Sequence, residues 1–258
     1  MADAATARLE IGKVIQRTFS AIGANAVSFA ILAAVLAGLP SVLISIGMVT
    51  YIGSVGLSDP STIFVPTMLG SLAAIVPAYI LIGALTHGSV VTFNGGKASL
   101  GECFATGLRN AFPLIAVGIL SILGFMAGFL LLVVPGIFLA LMWSVAAPAL
   151  VVDKSGIFGS FSRSAELTKG HRWKIFFLYV IYFLLSMIIQ ALITFPFGGL
   201  LATQSISLGM GSLLGYVIMM IYSVINGVIA AAGTAALYYE LRTGKEGTAA
   251  SDLASVFD

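Results

Sequence analysis

The sequence predicts an all-α integral membrane protein with six transmembrane helices. Three observations carry that reading. Hydrophobic residues make up 59% of the 258 residues and charged ones only 9%, where a soluble domain carries roughly a quarter charged residues. No Asp, Glu, Lys or Arg occurs in 18–58, 60–96, 110–152 or 175–239, and each run exceeds the roughly 20 apolar residues that one spanning helix needs. The 12 Lys and Arg residues are gathered into clusters separated by pairs of expected spans. So little polar surface excludes a disordered chain, a fibre, a DNA-binding domain and a soluble enzyme. With a formal charge of only +2, no nucleic-acid partner is expected.

The spans follow in order. Residues 18–96 accommodate two spans, 24–50 and 67–92, around a polar segment, 53–66, that holds Asp59. Residues 110–152 accommodate 111–134 and a short fourth span, 136–152, with Val134-Pro135-Gly136 expected as the turn between them. The run 175–239 fits two more, 174–195 and 212–239, joined by a Gly- and Ser-containing stretch, 195–211. Long apolar runs are read as helices because backbone polar groups in lipid must be satisfied within the segment. A single polytopic domain over 1–258 is expected: an interfacial segment 1–23, six spans within 24–241 and a tail 242–258.

Charge placement predicts orientation. Arg8, Lys13 and Arg17 precede span one, and Lys97 and Arg109 lie between spans two and three. Lys154, Arg163, Lys169, Arg172 and Lys174 lie between four and five, and Arg242 and Lys245 follow span six. All twelve share one side, which the positive-inside rule makes cytoplasmic. Both termini are therefore expected inside, with the spans as three hairpins. The polar start, with Asp3 and Glu10, is not expected to be a cleaved leader.

Each hairpin is preceded by an amphipathic pattern. Ile11, Val14, Ile15, Thr18, Phe19 and Ile22 keep helical spacing, as do Leu100, Cys103, Phe104, Gly107, Leu108 and Ala111. Ile157, Phe161 and Ala165 give a weaker version. Three interfacial helices are expected, with elbows near 98–110 and 155–172.

Several stretches together carry a family resemblance. They are Val134-Pro135-Gly136 leading to Trp143 and Pro148, then 160–170 from Ser160 through Arg163 to Gly170 with Trp173, and Tyr238-Tyr239-Glu240-Leu241-Arg242 followed by Lys245-Glu246-Gly247. The chain resembles the six-helix membrane domain fused to some bacterial glycerophosphodiester phosphodiesterases, and stand-alone inner-membrane relatives of that domain. The resemblance implies a bacterial inner-membrane location and a link to lipid or envelope biology. The family's phosphodiesterase activity belongs to a separate soluble domain, so no catalysis is carried over.

The residues themselves point to no reaction. One cysteine, Cys103, rules out an internal disulfide and a cysteine-based metal site. No nucleophile elbow or His-Glu-x-x-His motif occurs. Asn94-Gly95-Gly96-Lys97 has the look of a phosphate loop without its spacing, and reads better as a helix C-terminal turn with a left-handed glycine. No catalytic, metal or cofactor site is expected. The lipid-headgroup candidates are Arg163, Lys169, Arg172 and Lys174, beside the aromatic start of span five. His87, Gln190 and Asn226 are polar groups within apolar runs and are candidates to line a cavity. Asn25 is read as sitting in the headgroup layer. Gly124 and Gly128 in span three, and Gly211, Gly215, Ser223 and Gly227 in span six, are expected at close helix contacts. Pro40, Pro77 and Pro148 are expected to kink their helices. The function expected is that of a non-enzymatic membrane protein that binds lipid or organises a membrane complex. The alternative is a transporter or lipid-handling protein with a substrate cavity between kinked helices, and an intramembrane enzyme ranks last. Expected partners are membrane lipids, anionic ones among them; protein subunits or a second copy of the chain are left open.

Overall fold

The computed structural model describes residues 9–55, 61–195 and 210–246, and these are α-helical with short connections and no strands among them. Among the described residues, six stretches of helix are long and apolar enough to cross a membrane, and the chain is a multi-pass membrane protein. Arg8, Asp59, residues 196–209 joining spans five and six, and the tail from 247 lie outside the described residues.

The amphipathic helix α1 (Ile11–Ala24) buries Val14, Thr18 and Ala21. That face packs mainly on the sixth span, so it is an intramolecular contact as well as an amphipathic one. Asn25 ends α1 and is buried against the protein. Its Nδ2 donates to Ala21 O at 3.0 Å and to Thr92 Oγ1 at 2.6 Å, fastening the α1 joint to span two.

Span one comprises α2 (Ala26–Ala33), one π turn (Ala34–Gly38) and α3 (Leu39–Val55). The π turn lies just before Pro40. Proline has no N–H to give and its ring presses on the carbonyl four residues back, here Leu36, so the helix widens locally. Span two is α4 (Ser61–Phe93), longer at its start than expected and continuous through Pro66 and Pro77. It ends as the Asn94-Gly95-Gly96 turn predicts. Gly95 has φ +81°, Gly95 N donates to Thr92 O at 3.0 Å, and Gly96 N donates to Val91 O at 2.9 Å. Those two bonds are the paired closure of a Schellman motif.

Span three corrects the expected elbow. Residues 98–110 do not form a separate interfacial helix; they are the first turns of one 32-residue helix, α5 (Leu100–Leu131). Ser99 Oγ accepts from Glu102 N at 3.1 Å and starts it. The apolar side of this segment is divided. Cys103, Gly107 and Ala111 are buried, whereas Leu100, Phe104 and Leu108 stay exposed. α4 and α5 share the most extensive packing among the described helices. A Cβ on Gly83 would stand 3.0 Å from Gly107 Cα, so the two backbones touch where both residues lack side chains.

The turn after span three is also displaced. The chain reverses at Leu132 alone, in extended conformation, and Pro135 and Gly136 lie inside α6 (Val133–Met142). Proline fits there because the first turn of a helix has N–H groups without internal partners. The fourth span is then broken. α6 stops at Met142 and α7 (Ala146–Asp153) begins after three turn residues. Pro148 lies in the first turn of α7, so it interrupts the span rather than kinking a continuous helix.

α8 (Gly156–Thr168) folds back against α7. Its buried residues are Ser160, Ser164, Leu167 and Thr168, whereas Ile157, Phe161 and Ala165 are only half-buried. The inward face is thus offset from the predicted one and is mostly hydroxylic. Span five is α9 (Arg172–Thr194), and span six is α10 (Met210–Glu246), which runs into the expected tail and carries Arg242 and Lys245 on helix.

Candidate functional site

The break in span four exposes backbone groups that lipid cannot satisfy. α8 supplies their partners. Ser164 Oγ donates to Met142 O at 2.8 Å and accepts from Val145 N at 3.3 Å. Thr168 Oγ1 lies 3.3 Å from the same Met142 O and 2.9 Å from Ser164 O. Val145, Ser164 and Thr168 are completely buried. Trp143, at the break, packs against Phe161 of α8 with ring centroids 4.8 Å apart. The Ser160–Gly170 stretch behind the family resemblance therefore has a structural role, because its hydroxyls close an interrupted helix.

Beside this joint lies a charged cluster. Asp153, the last residue of α7, accepts from Arg163 Nε at 3.1 Å through Oδ2. Its Oδ1 accepts from Tyr238 OH at 2.7 Å and lies 3.0 Å from Arg242 Nη1. Arg242 Nε donates to Glu246 Oε2 at 3.1 Å, and Glu246 also pairs with Arg163. The cluster ties α7, α8 and the end of α10 together. Burial opposes the charge on Arg163, but its bonds to Glu246 and Asp153 outweigh it and raise its pKa above the ordinary arginine value. A second pair, Arg17 with Glu240, joins α1 to α10, and the Arg17 guanidinium lies 4.4 Å from the Tyr239 ring centroid. The Tyr238–Arg242 motif thus contributes to both clusters. The sequence shows Asp153 and Glu240 as the charges that close long apolar runs, and nothing in it names their partners.

The four lipid-headgroup candidates meet different surroundings. Arg163 is committed to Asp153 and Glu246. Lys174 Nζ donates to Leu9 O at 2.9 Å. The Arg172 guanidinium lies 4.0 Å from the centroid of the Phe138 ring on α6, within the range of a cation–π contact. Lys169 is exposed just after α8. Trp173, 77% exposed, stands at the foot of α9 among these cations. His171, which precedes α9, has a pKa below the ordinary histidine range, first through burial and then through Lys245 and Lys174.

Of the cavity candidates, two come together and one does not. Gln190 and Asn226 line one groove of about 600 Å³ between α9 and α10, with Tyr182, Ser186 and Tyr222. Tyr182 OH donates to Asn226 Oδ1. His87 is elsewhere: it is buried beside a cleft between α4, α5 and the end of α7.

The packing candidates divide as well. A Cβ on Gly124 would enter the Trp143 ring, and one on Gly128 would stand 2.8 Å from Gly136 Cα. A Cβ on Gly227 would stand 3.3 Å from Leu81 Cδ2 and 3.8 Å from Ala37 Cβ. Gly215 and Ser223 are half-buried in α10, and the surroundings of Gly211 lie outside the described residues. The tightest approach of a glycine to backbone is that of Gly107 to Ile80 O, and Gly107 belongs to the pattern expected on an interfacial face.

No family model, no curated protein and no solved structure matches this chain.

Proposed function

We propose that the chain is a non-enzymatic protein of a bacterial inner membrane. In this reading both termini are cytoplasmic, the spans pair as three hairpins, and the cytoplasmic end holds membrane lipid with a preference for anionic headgroups. The observation that carries the reading is the concentration of Lys169, Arg172 and Lys174 around exposed Trp173 at the foot of α9. Aromatic and basic side chains together suit the headgroup layer, the ring entering the boundary and the cations meeting phosphate. The resemblance to the membrane domain of glycerophosphodiester phosphodiesterases supports the same lipid setting.

Lipid-dependent thermal stability tests it. Phosphatidylglycerol added to the detergent-solubilised protein raises the unfolding midpoint more than phosphatidylcholine does. Neutralising Lys169, Arg172 and Lys174 to Gln removes most of that difference, since each such cation contributes about 1 kcal/mol near an anionic surface. Equal midpoints with both lipids defeat the proposal.

One observation favours a second reading, a pathway for a neutral solute or lipid: Gln190 and Asn226 share a groove with two tyrosines in the membrane region. Asn226→Leu removes that pathway's polar centre; abolished transport of a solute by reconstituted protein favours this reading over the first.

A further inference from the structure

The cleft between α4, α5 and α7 has chemistry that the α9 site does not use. Its volume is about 450 Å³, and its polar lining includes His87, Glu102, Thr106, Arg109, Asn110 and Lys154. Two cations outweigh one carboxylate there. Glu102, Thr106 and Arg109 recur at helical spacing on one side of α5, which directs them to a common face. Arg109 forms no ion pair with any described residue.

Lys154 supplies an independent observation. It ends α7 in the left-handed region, φ 50° and ψ 30°, and is the one non-glycine with positive φ among the described residues. The ends of α4 and α8 use Gly95 and Gly170 for that conformation. Glycine adopts it without the steric cost a side chain brings. The chain places a lysine there, at the lip of the cleft, against local backbone preference. A strained backbone position next to a polar concavity is a reason to look for function.

The cleft also borders the apolar surface. Three residues beyond Arg109, Phe112 is 82% exposed on the same helix, and Leu108 is 55% exposed. Polar lining therefore gives way to open hydrocarbon-compatible surface within one turn of α5. We infer that this cleft binds a phosphate group carried on a lipid, with Arg109 and Lys154 as its cations, Asn110 as a neutral donor and the acyl chains along Leu108 and Phe112. An arginine takes two phosphate oxygens at once, and a lysine adds a point charge. This inference rests on the lipid-binding reading above but assigns a separate site.

The test titrates phosphatidylglycerol into the full chain in neutral detergent and reads bound lipid by native mass spectrometry. The pair Arg109→Gln and Lys154→Gln weakens the tightest binding by about tenfold or more, the equivalent of one charge-assisted contact. Lys154→Gly weakens binding while raising the unfolding midpoint, because it relieves the backbone. Glu102→Gln tightens binding, a gain that misfolding does not produce. Competition with soluble glycerol phosphate fixes the source: displacement means that the phosphate suffices, and its failure means that the acyl chains are required. Unchanged affinity in the double variant overturns the assignment. If wild type prefers phosphatidylglycerol and only the Lys169, Arg172 and Lys174 variant loses that preference, the lipid reading survives and this cleft does not. If wild type has no preference, the lipid reading itself fails.

Discussion

Ser164→Ala is the sharpest probe of the broken fourth span. The substitution removes one oxygen from a completely buried position. Val145 N loses its 3.3 Å acceptor, and Met142 O loses its 2.8 Å donor while keeping Thr168 Oγ1 at 3.3 Å. One buried N–H is left without a partner and one carbonyl with a longer one. An unsatisfied buried group costs about 1–3 kcal/mol, and the surviving Thr168 contact argues for the middle of that range. For a chain of this size about 2 kcal/mol corresponds to a fall of roughly 4–8 °C in the unfolding midpoint. The assay is intrinsic fluorescence during heating in a mild detergent. Trp143 packs on α8 at the break, and Trp173 is the second of the two tryptophans. Ser162→Ala, on the exposed side of α8, is the matched control. Thr168→Val added to Ser164→Ala removes the remaining donor and costs more than the two single changes summed. Equal midpoints for Ser164→Ala and Ser162→Ala would falsify the claim that α8 closes the break.

Other expectations follow from the same geometry. Gly107→Ala places a Cβ against Ile80 O and 3.0 Å from Ala84 N, both backbone; overpacking of this kind costs about 1–3 kcal/mol. Gly47→Ala meets nothing within 4 Å, and a Gly107→Ala melting curve as high as its own would remove the close α4–α5 contact from the account. His171 titrates below its unfolded value, so the folded protein resists protonating it and stability falls as pH drops through about 6.5 toward the lowered folded value. Unfolding midpoints of wild type and His171→Asn, measured between pH 7.5 and 5.5, should diverge in that direction; parallel curves contradict it. Reporter fusions at the C-terminus should be active in the cytoplasm, and an external C-terminus refutes six spans with the basic residues inside.

Much of the helix count was legible because the signal is global. Charge-free runs and clustered cations need no knowledge of which helix touches which. The Asn94-Gly95-Gly96 turn was legible for the opposite reason, since its bonds are entirely local. What escaped depends on partners. The 98–111 pattern is apolar at helical spacing whether it meets lipid or α4, and periodicity does not distinguish the two. Gly107 consequently looked interfacial. Pro135 and Gly136 look like a turn because those residues commonly make one, yet proline is also tolerated in the first turn of a helix. Pro148 was recognised as a disturbance, but its size depended on Ser164 being there to receive the freed backbone. Ser99 with Glu102 three residues later was a readable start signal for α5. For Asp153, Arg163, Arg242 and Glu246 the sequence offered charges near three helix ends, and only packing assigned the pairs.

Native mass spectrometry after gentle extraction from the membrane tests the central claim most directly. Anionic phospholipid should be bound to the wild-type chain. Neutralising Lys169, Arg172 and Lys174 should reduce its retention while the mass of the protein assembly stays the same. A wild-type chain that emerges without lipid, or that keeps its anionic lipid undiminished after those cations are removed, contradicts the lipid-binding account.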